Sequence, residues 1–269
     1  LSDITQITGS LNSSLAVNLI SLTAPSLETI GASLNVIASV KITTLQFNSL
    51  TSIGSLVFNA VPFLHYMELG GGGVTTIGNV SIINTGFVSI DWLKMDTVKD
   101  FVLQNNQDLI TLDLDALRSF TGDLDISGNN ADLVVTMPNV TTANSISIAN
   151  LTSVGMSSIQ KLAGDLDLSG DSMSEINLPE LVNTSSIRIS SDMNLETLDM
   201  SKLILVAGDL SIISNDKLAA ITMPALEVVN GDMTLTGAIS KLVRSYVLLF
   251  IPWPASNEGI AFRYRQSST

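Results

Sequence analysis

Cysteine is absent from the 269 residues, so neither a disulfide framework nor thiol chemistry is available to this chain. The absence assigns no compartment, because a long repeat stack with a large core needs no bridges. There is one histidine, His65, which excludes the multi-histidine metal centre and any repeated histidine-based catalytic pattern. Basic residues are scarce: 12 Lys and Arg stand against 25 Asp and Glu, a formal net charge of −13. Nucleic acid is excluded as a partner, since phosphate binding needs a basic face. No apolar run reaches the roughly 18–20 residues that span a bilayer; the nearest, YVLLFIPWP from Tyr246 to Pro254, is far too short. Aromatic residues make up only 5% of the chain, and Trp92 and Tyr66 are the only Trp or Tyr before residue 241. That weakens a sugar-binding face built from stacked rings.

What the chain does have is a returning phrase. GDLDISGNNADLVVTMPNV at Gly122, GDLDLSGDSMSEINLPELV at Gly164 and GDLSIISNDKLAAITMPALEVV at Gly208 are variants of one unit. Taking the first apolar residue of each phrase as an anchor gives Leu11, Leu34, Leu56, Val80, Phe101, Leu124, Ile146, Leu166, Ile187, Leu210 and Met233, spaced 20–24 residues apart. A second apolar residue follows two positions later in every case but the first, where Ser13 stands. Polar or small residues such as Asn35, Ser81, Asp125, Ser147, Asp167 and Arg188 lie between. This alternation predicts a short β-strand with one face buried.

Five residues past the anchor stand Asn106, Asn129, Asp171, Asp192 and Asn215. Asn and Asp tolerate left-handed backbone and bond their own chain, so a tight corner is expected there, with amides able to bond along the stack. A second apolar phrase follows, in which Pro25, Pro138, Pro179 and Pro224 recur at one place. Proline lacks the N–H and marks the end or edge of a strand. A leucine-rich repeat carries a helix or 3₁₀ segment on its return side, but these return segments are rich in Ile, Val, Thr and Pro, which disfavour helix. The expectation is an all-β, right-handed parallel β-solenoid, leucine-rich-repeat-like in period, with about 11 coils of 20–24 residues.

Five N-glycosylation sequons occur, at Asn12, Asn79, Asn139, Asn150 and Asn183. They point to a secreted protein and are expected near corners and turns, where a bulky glycan avoids the packed columns.

Repeats of the form GDLxISxNxxLxxIxxPxLxxV resemble the receptor L-domain-like repeats of the fungal GPI-anchored cell-wall organisation proteins, relatives of the sporulation-specific wall proteins. The resemblance runs from Leu11 to about Ser240. It implies a secreted, N-glycosylated protein in the cell wall or on the outer face of the plasma membrane, contributing to wall organisation. It carries over no catalytic residue, cofactor or metal. Cell-wall polysaccharide and wall proteins are the partners it implies, with membrane attachment only through a lipid anchor. Terminal cysteines, a leader, a Ser-rich stalk and a hydrophobic anchor signal belong to that pattern and are not in this sequence.

The repeat domain is therefore drawn at 1–240 and an atypical tail at 241–269. The tail holds three of the five Arg and five of the 13 aromatic residues, and its net charge is +3 (Lys241, Arg244, Arg263 and Arg265 against Glu258). It reads either as a docking or capping segment for the last coil or as an end foreign to the family.

The candidate chemistry is thin. His65, in PFLHYMELGGGG, reads as a loop or groove residue, and Gly70 to Gly73 as a bulge, because the following VTTIGNVSI is β and a phosphate cradle needs a helix N-terminus. Asp123, Asp165, Asp209 and Asp232 open their strands, while Asp125 and Asp167 face outward. Two coils of about 4.8 Å each would set the last two apart at the upper edge of an inverting carboxylate pair. A solvated acidic face is the plainer reading. Calcium between Asp209 and Asp232 is the weaker alternative, with no DxDxDG loop to support it.

Overall fold

The alternation resolves into parallel strands paired in register. The computed structural model describes residues 1–69, 72–170, 172–244 and 260–262. Among them there is no helix, and none that could cross a membrane. Contacts divide the chain into two units, 1–139 and 140–269. Six of the anchors fall in the first and five in the second, so the all-β parallel solenoid has about eleven coils.

In the first unit the front sheet pairs Leu11 with Leu34, Leu34 with Leu56, Leu56 with Val80, Val80 with Phe101 and Phe101 with Leu124. In the second it pairs Ile146 with Leu166, Leu166 with Ile187, Ile187 with Leu210 and Leu210 with Met233. The anchors are thus one column per unit, half-buried at Leu11 and buried from Leu34 onward. The residues two further on form a second column, in which Ile126, Ile148 and Ile189 are fully buried. Ser13, the odd residue of the first coil, is buried too, and its hydroxyl bonds that of Ser39.

Each coil has two further sides. Return strands stack as Ser21–Thr23, Thr44–Phe47 and Tyr66–Leu69 in the first unit, and as Glu175–Asn177, Thr197–Asp199, Ala220–Met223 and Lys241–Arg244 in the second. Where proline follows a return strand it opens a turn. The N–H groups of Leu27, Leu181 and Leu226 donate to the carbonyls of Ala24, Leu178 and Met223, with Pro25, Pro179 and Pro224 at the second turn position, which its fixed φ suits. A short corner strand then leads back to the front sheet and buries one residue per coil, among them Ile30, Ile53, Val98, Phe120, Leu162 and Val206.

The sequence placed the left-handed corner one residue late. In ten coils the residue four past the anchor has φ between 50° and 65°, from Leu15, Ala38 and Ala60 to Ser191 and Ser214, and in the last coil Gly237 has φ 144°. The next residue points inward. Asn106, Asn129, Asp192 and Asn215 are at most 5% exposed. They form a ladder, because the bend strands an N–H and a carbonyl that only an inward amide can reach. The Oδ1 of Asn106 accepts from the N–H and hydroxyl of Thr85, and that of Asn129 from the N–H of Asn106. The Nδ2 groups of Asn106 and Asn129 donate to the carbonyls of Ile82 and Leu103. In the second unit Asn215 accepts from the N–H of Asp192 and donates to the carbonyl of Ile189. Asp171 lies outside the described residues.

The strand Lys241–Arg244 pairs with Ala220–Met223 across the boundary drawn at 240. Ile260–Phe262 pairs antiparallel with Met233–Leu235. The remainder of the 241–269 segment lies outside the described residues.

Candidate functional site

The acidic phrase is a structural device. At several coils the side chain before the anchor accepts the N–H of its counterpart one coil later. In the second unit this runs without a break: Ser145 Oγ to Asp165, Asp165 Oδ1 to Ser186, Ser186 Oγ to Asp209 and Asp209 Oδ1 to Asp232, at 2.8–3.3 Å. In the first unit Asn79 caps Asp100 and Asp100 caps Asp123. The glycine of each GD pair leaves room for this contact; a Cβ on Gly231 would collide with Asp209 Oδ1. The Asp209–Asp232 stack is therefore a backbone cap. Among the described residues no three His, Asp or Glu side chains gather as metal ligands.

The outward carboxylates are individually occupied or isolated. Asp125 accepts from Gln104 Nε2 at 2.8 Å and Ser127 Oγ at 3.1 Å. Asp167 lies in register with Arg188, but the Arg188 Nε donates to Ser190 Oγ, and Asp167 Oδ1 is buried without a hydrogen-bond partner among the described residues. Asp115 holds its proton more tightly than an ordinary carboxyl, first through a side-chain hydrogen bond with Asp113, then through desolvation and the Asp113 charge. Asp192 is also pushed up, by burial, against lowering hydrogen bonds from the N–H groups of Asn194, Leu195 and Met173.

The sequons fall in different surroundings. Asn12, Asn139 and Asn150 are exposed, whereas Asn79 and Asn183 are half-buried in corner strands. Asn12 Oδ1 accepts from Asn35 at 2.6 Å, and Asn139 Nδ2 donates to the Asp115 carbonyl at 2.8 Å. Asn150 is its coil's left-handed residue.

The surface richest in varied chemistry is on the return side of the first unit. Alternation on Tyr66–Leu69 buries Met67 and turns Tyr66 and Glu68 outward. Glu68 accepts from Gln46 Nε2 at 2.9 Å, and Gln46 accepts from Thr23 at 3.0 Å, a polar ladder across three coils. Tyr66 is 64% exposed, with Phe63 also exposed beside it in sequence. His65 is half-buried; its Nδ1 lies 2.6 Å from the Phe63 carbonyl, and its ring centroid is 6.4 Å from that of Tyr66. Next to Glu68 opens a groove of about 420 Å³ lined by Asn48, Met67, Glu68, Leu69, Gly73, Asp91, Trp92 and Lys94. Gly73 has φ 63°, and a Cβ there would lie 2.5 Å from the Trp92 carbonyl oxygen. Gly70 and Gly71 lie outside the described residues.

Trp92 is not a stacking platform. It is 8% exposed and packs on Phe87 at 5.9 Å, itself 5.8 Å from Phe58. Its Nε1–H is buried without an acceptor among the described residues, an arrangement that costs about 1–3 kcal/mol. Sequence reasoning missed the groove, since Asn48, Glu68, Asp91 and Lys94 follow no repeat. The available signal was the outward Tyr66–Glu68 alternation beside a segment that departs from the repeat phrase.

No family model matches the chain. Among curated proteins it is similar to protein ecm33 of Aspergillus fumigatus, with 31% identity over 233 residues, 87% of this chain and 52% of the relative. A cell surface GPI-anchored protein of Arthroderma benhamiae is 30% identical over 241 residues, 88% of this chain and 61% of the relative. Cell wall protein ecm33 of Schizosaccharomyces pombe is 30% identical over 166 residues, 61% of this chain and 38% of the relative. The chain thus spans about half the length of the first two relatives. None of these three names is that of an enzyme, and two of them put the relatives where the sequence reading puts this chain, at the cell surface and in the wall. Over most of its length the chain is a homologue of the fungal ecm33 and sporulation-specific group of GPI-anchored cell-wall proteins.

Proposed function

We propose that this protein is a secreted, non-catalytic surface glycoprotein that contributes to the organisation and integrity of the fungal cell wall. The observation that supports it is the similarity to a cell surface GPI-anchored protein across 88% of this chain and to a cell wall protein across 61% of it. Asp165 and Asp209 are bound into backbone caps, and Asp125 accepts from Gln104 and Ser127. The five sequons, Asn12, Asn79, Asn139, Asn150 and Asn183, are proposed as glycan acceptors, with Asn79 and Asn183 the less accessible. Membrane attachment through a lipid anchor, as the Arthroderma relative's name states for that protein, is part of the same proposal.

The test is expression in a fungal host, followed by wall fractionation and endoglycosidase treatment. The chain should appear in the wall fraction and lose apparent mass on deglycosylation. Disruption of the gene in its own host should sensitise cells to wall-perturbing agents. Recovery only inside the cell, unglycosylated, would sink the reading. A second reading, a module that binds an extracellular ligand, is favoured by the groove and exposed Tyr66 of the first unit.

A further inference from the structure

We propose that the groove of the first unit binds a neutral oligosaccharide, with Tyr66 as its outer platform and Asn48, Glu68, Asp91 and Lys94 reading hydroxyl groups. The inference rests on the wall-protein reading for its ligand class and on the geometry for its place. That place is the return side, not the front strand face.

The groove combines what a polyol requires. A sugar ring offers an apolar face of C–H groups and an edge of hydroxyls that donate and accept. The lining supplies carboxylate acceptors from Glu68 and Asp91, an ammonium donor from Lys94, an amide from Asn48 that does both, and apolar surface from Met67 and Leu69. Tyr66 shares the outward face of the same strand as Glu68, two residues away or roughly 6.7 Å, and an exposed ring there can cover a C–H face. Charge selects against an anionic glycan: two carboxylates stand against one ammonium in the groove, within a chain of net charge −13. In the first unit Trp92 Nε1 is the buried side-chain polar atom without a partner among the described residues, and it belongs to this lining. Glu68 is held in position by Gln46, which is held by Thr23, so the acceptor is set before a ligand arrives.

The experiment is a titration of the full chain with two neutral probes, a β-1,3-gluco-hexaose and a chito-hexaose, and with an oligogalacturonate as anionic control. Tryptophan fluorescence is the readout, in a W253F background so that Trp92 is the only reporter. A saturable change with at least one neutral probe and none with the uronate is expected, and which probe binds identifies the source of the ligand. Tyr66→Ala and Asp91→Asn should each weaken binding by about tenfold, equivalent to about 1.4 kcal/mol. Both positions are at the surface or groove, and an unchanged melting temperature checks that the variants fold. No saturable change with either neutral probe up to about 10 mM, a level at which binding is worth under about 3 kcal/mol, would overturn the proposal. So would undiminished affinity in a folded Tyr66→Ala, Asp91→Asn double variant. Wall fractionation is scored separately. Binding through the groove by a chain that never enters the wall would leave this site standing and remove the wall role. Wall incorporation without oligosaccharide binding would do the reverse.

Discussion

The two units solve one repeat with different materials. The first fills its core with rings: Phe47, Phe58, Phe87, Phe101 and Phe120 are buried, and Phe101 meets Phe120 edge to face at 6.3 Å. The described core of the second is Leu, Ile, Val and Met with Ala143, and no aromatic residue. The corners differ too. In the first three full turns of the first unit the chain passes the corner backbone against backbone. A Cβ on Gly31 would lie 2.5 Å from the Thr8 carbonyl oxygen, one on Gly78 2.5 Å from that of Gly54, and one on Gly54 would collide with that of Ala32. Strands there run unbroken through the bend, as in Ser52–Val61 and Thr76–Thr85. In the second unit a side chain is inserted at the corner and the strand breaks in two, as in Lys161–Leu162 and Leu166–Ser169. The lesson is that the period constrains the columns and leaves the corners free. The groove lies in the unit that uses this freedom most.

The largest expected effect tests whether the rings matter. Phe101→Ala should cost about 3–5 kcal/mol and Leu168→Ala about 2–5 kcal/mol, read as denaturant midpoints. A Phe101→Leu change that costs nothing would show that the first unit does not depend on its rings. Next come the corners. Gly54→Ala meets backbone oxygen that cannot move and should cost about 1–3 kcal/mol. Gly164→Ala meets the Ser145 hydroxyl, which can rotate away, and should cost below about 1 kcal/mol. Equal costs would erase the distinction between the two kinds of corner.

Asp192 sharpens the comparison of the ladders. In the first unit both ladder groups are amides, whose Nδ2 donates to the carbonyl two past the preceding anchor. Asp192 occupies the same position with a carboxylate, and its Oδ2 is buried without a partner among the described residues. The carbonyl an amide would reach there is that of Leu168. Burial raises the folded-state pKa above the ordinary 3.8, so the acid form favours folding: its contribution is fully present below 3.8 and is lost as pH rises through the raised value. Asp192→Asn should therefore stabilise the protein at pH 7 by about 1–2 kcal/mol and flatten the loss of stability with rising pH in that window. A destabilised variant with unchanged pH dependence would show that the carboxylate has a partner.

Smaller effects follow at the left-handed position. Ala60→Gly in the first unit relieves Cβ strain and should stabilise by about 1 kcal/mol, while Gly170→Ala in the second should cost about as much. Parallel shifts in the same direction would mean that φ is not what sets the residue there. Smallest is the outward face: Ser147→Ala should change stability by less than about 0.5 kcal/mol.

Much of this was legible in the letters. Each of the eleven anchors falls in the column assigned to it, because alternation and period report burial directly. The amide ladder was legible in part: Asn106, Asn129 and Asn215 recur at one offset, and an amide that recurs in a stack has a neighbour to bond. The bend itself was not, since Leu15, Ala38 and Ala60 carry no left-handed signature; the stack imposes that backbone on whatever residue is present. The burial of Trp92 was not legible, because burial at a non-repeating position depends on which coils flank it. The groove escaped for the same reason: Asn48 and Lys94 are 46 positions apart in the chain and meet only once the coils are stacked.

The two ladders also have a direction. Through the second unit the earlier coil holds out a side chain for the N–H of the coil after it, as Asp209 does for Asp232. Inside the bend the later coil reaches back, as Asn215 does to the N–H of Asp192 and the carbonyl of Ile189. A coil is thus a landing site for its successor and stays unfinished until that successor closes it from behind. Removing a coil should therefore uncap the bend of the coil before it. Chains ended just before Asn215 should leave the Asp192 bend open to protease, and chains ended one coil later should protect it.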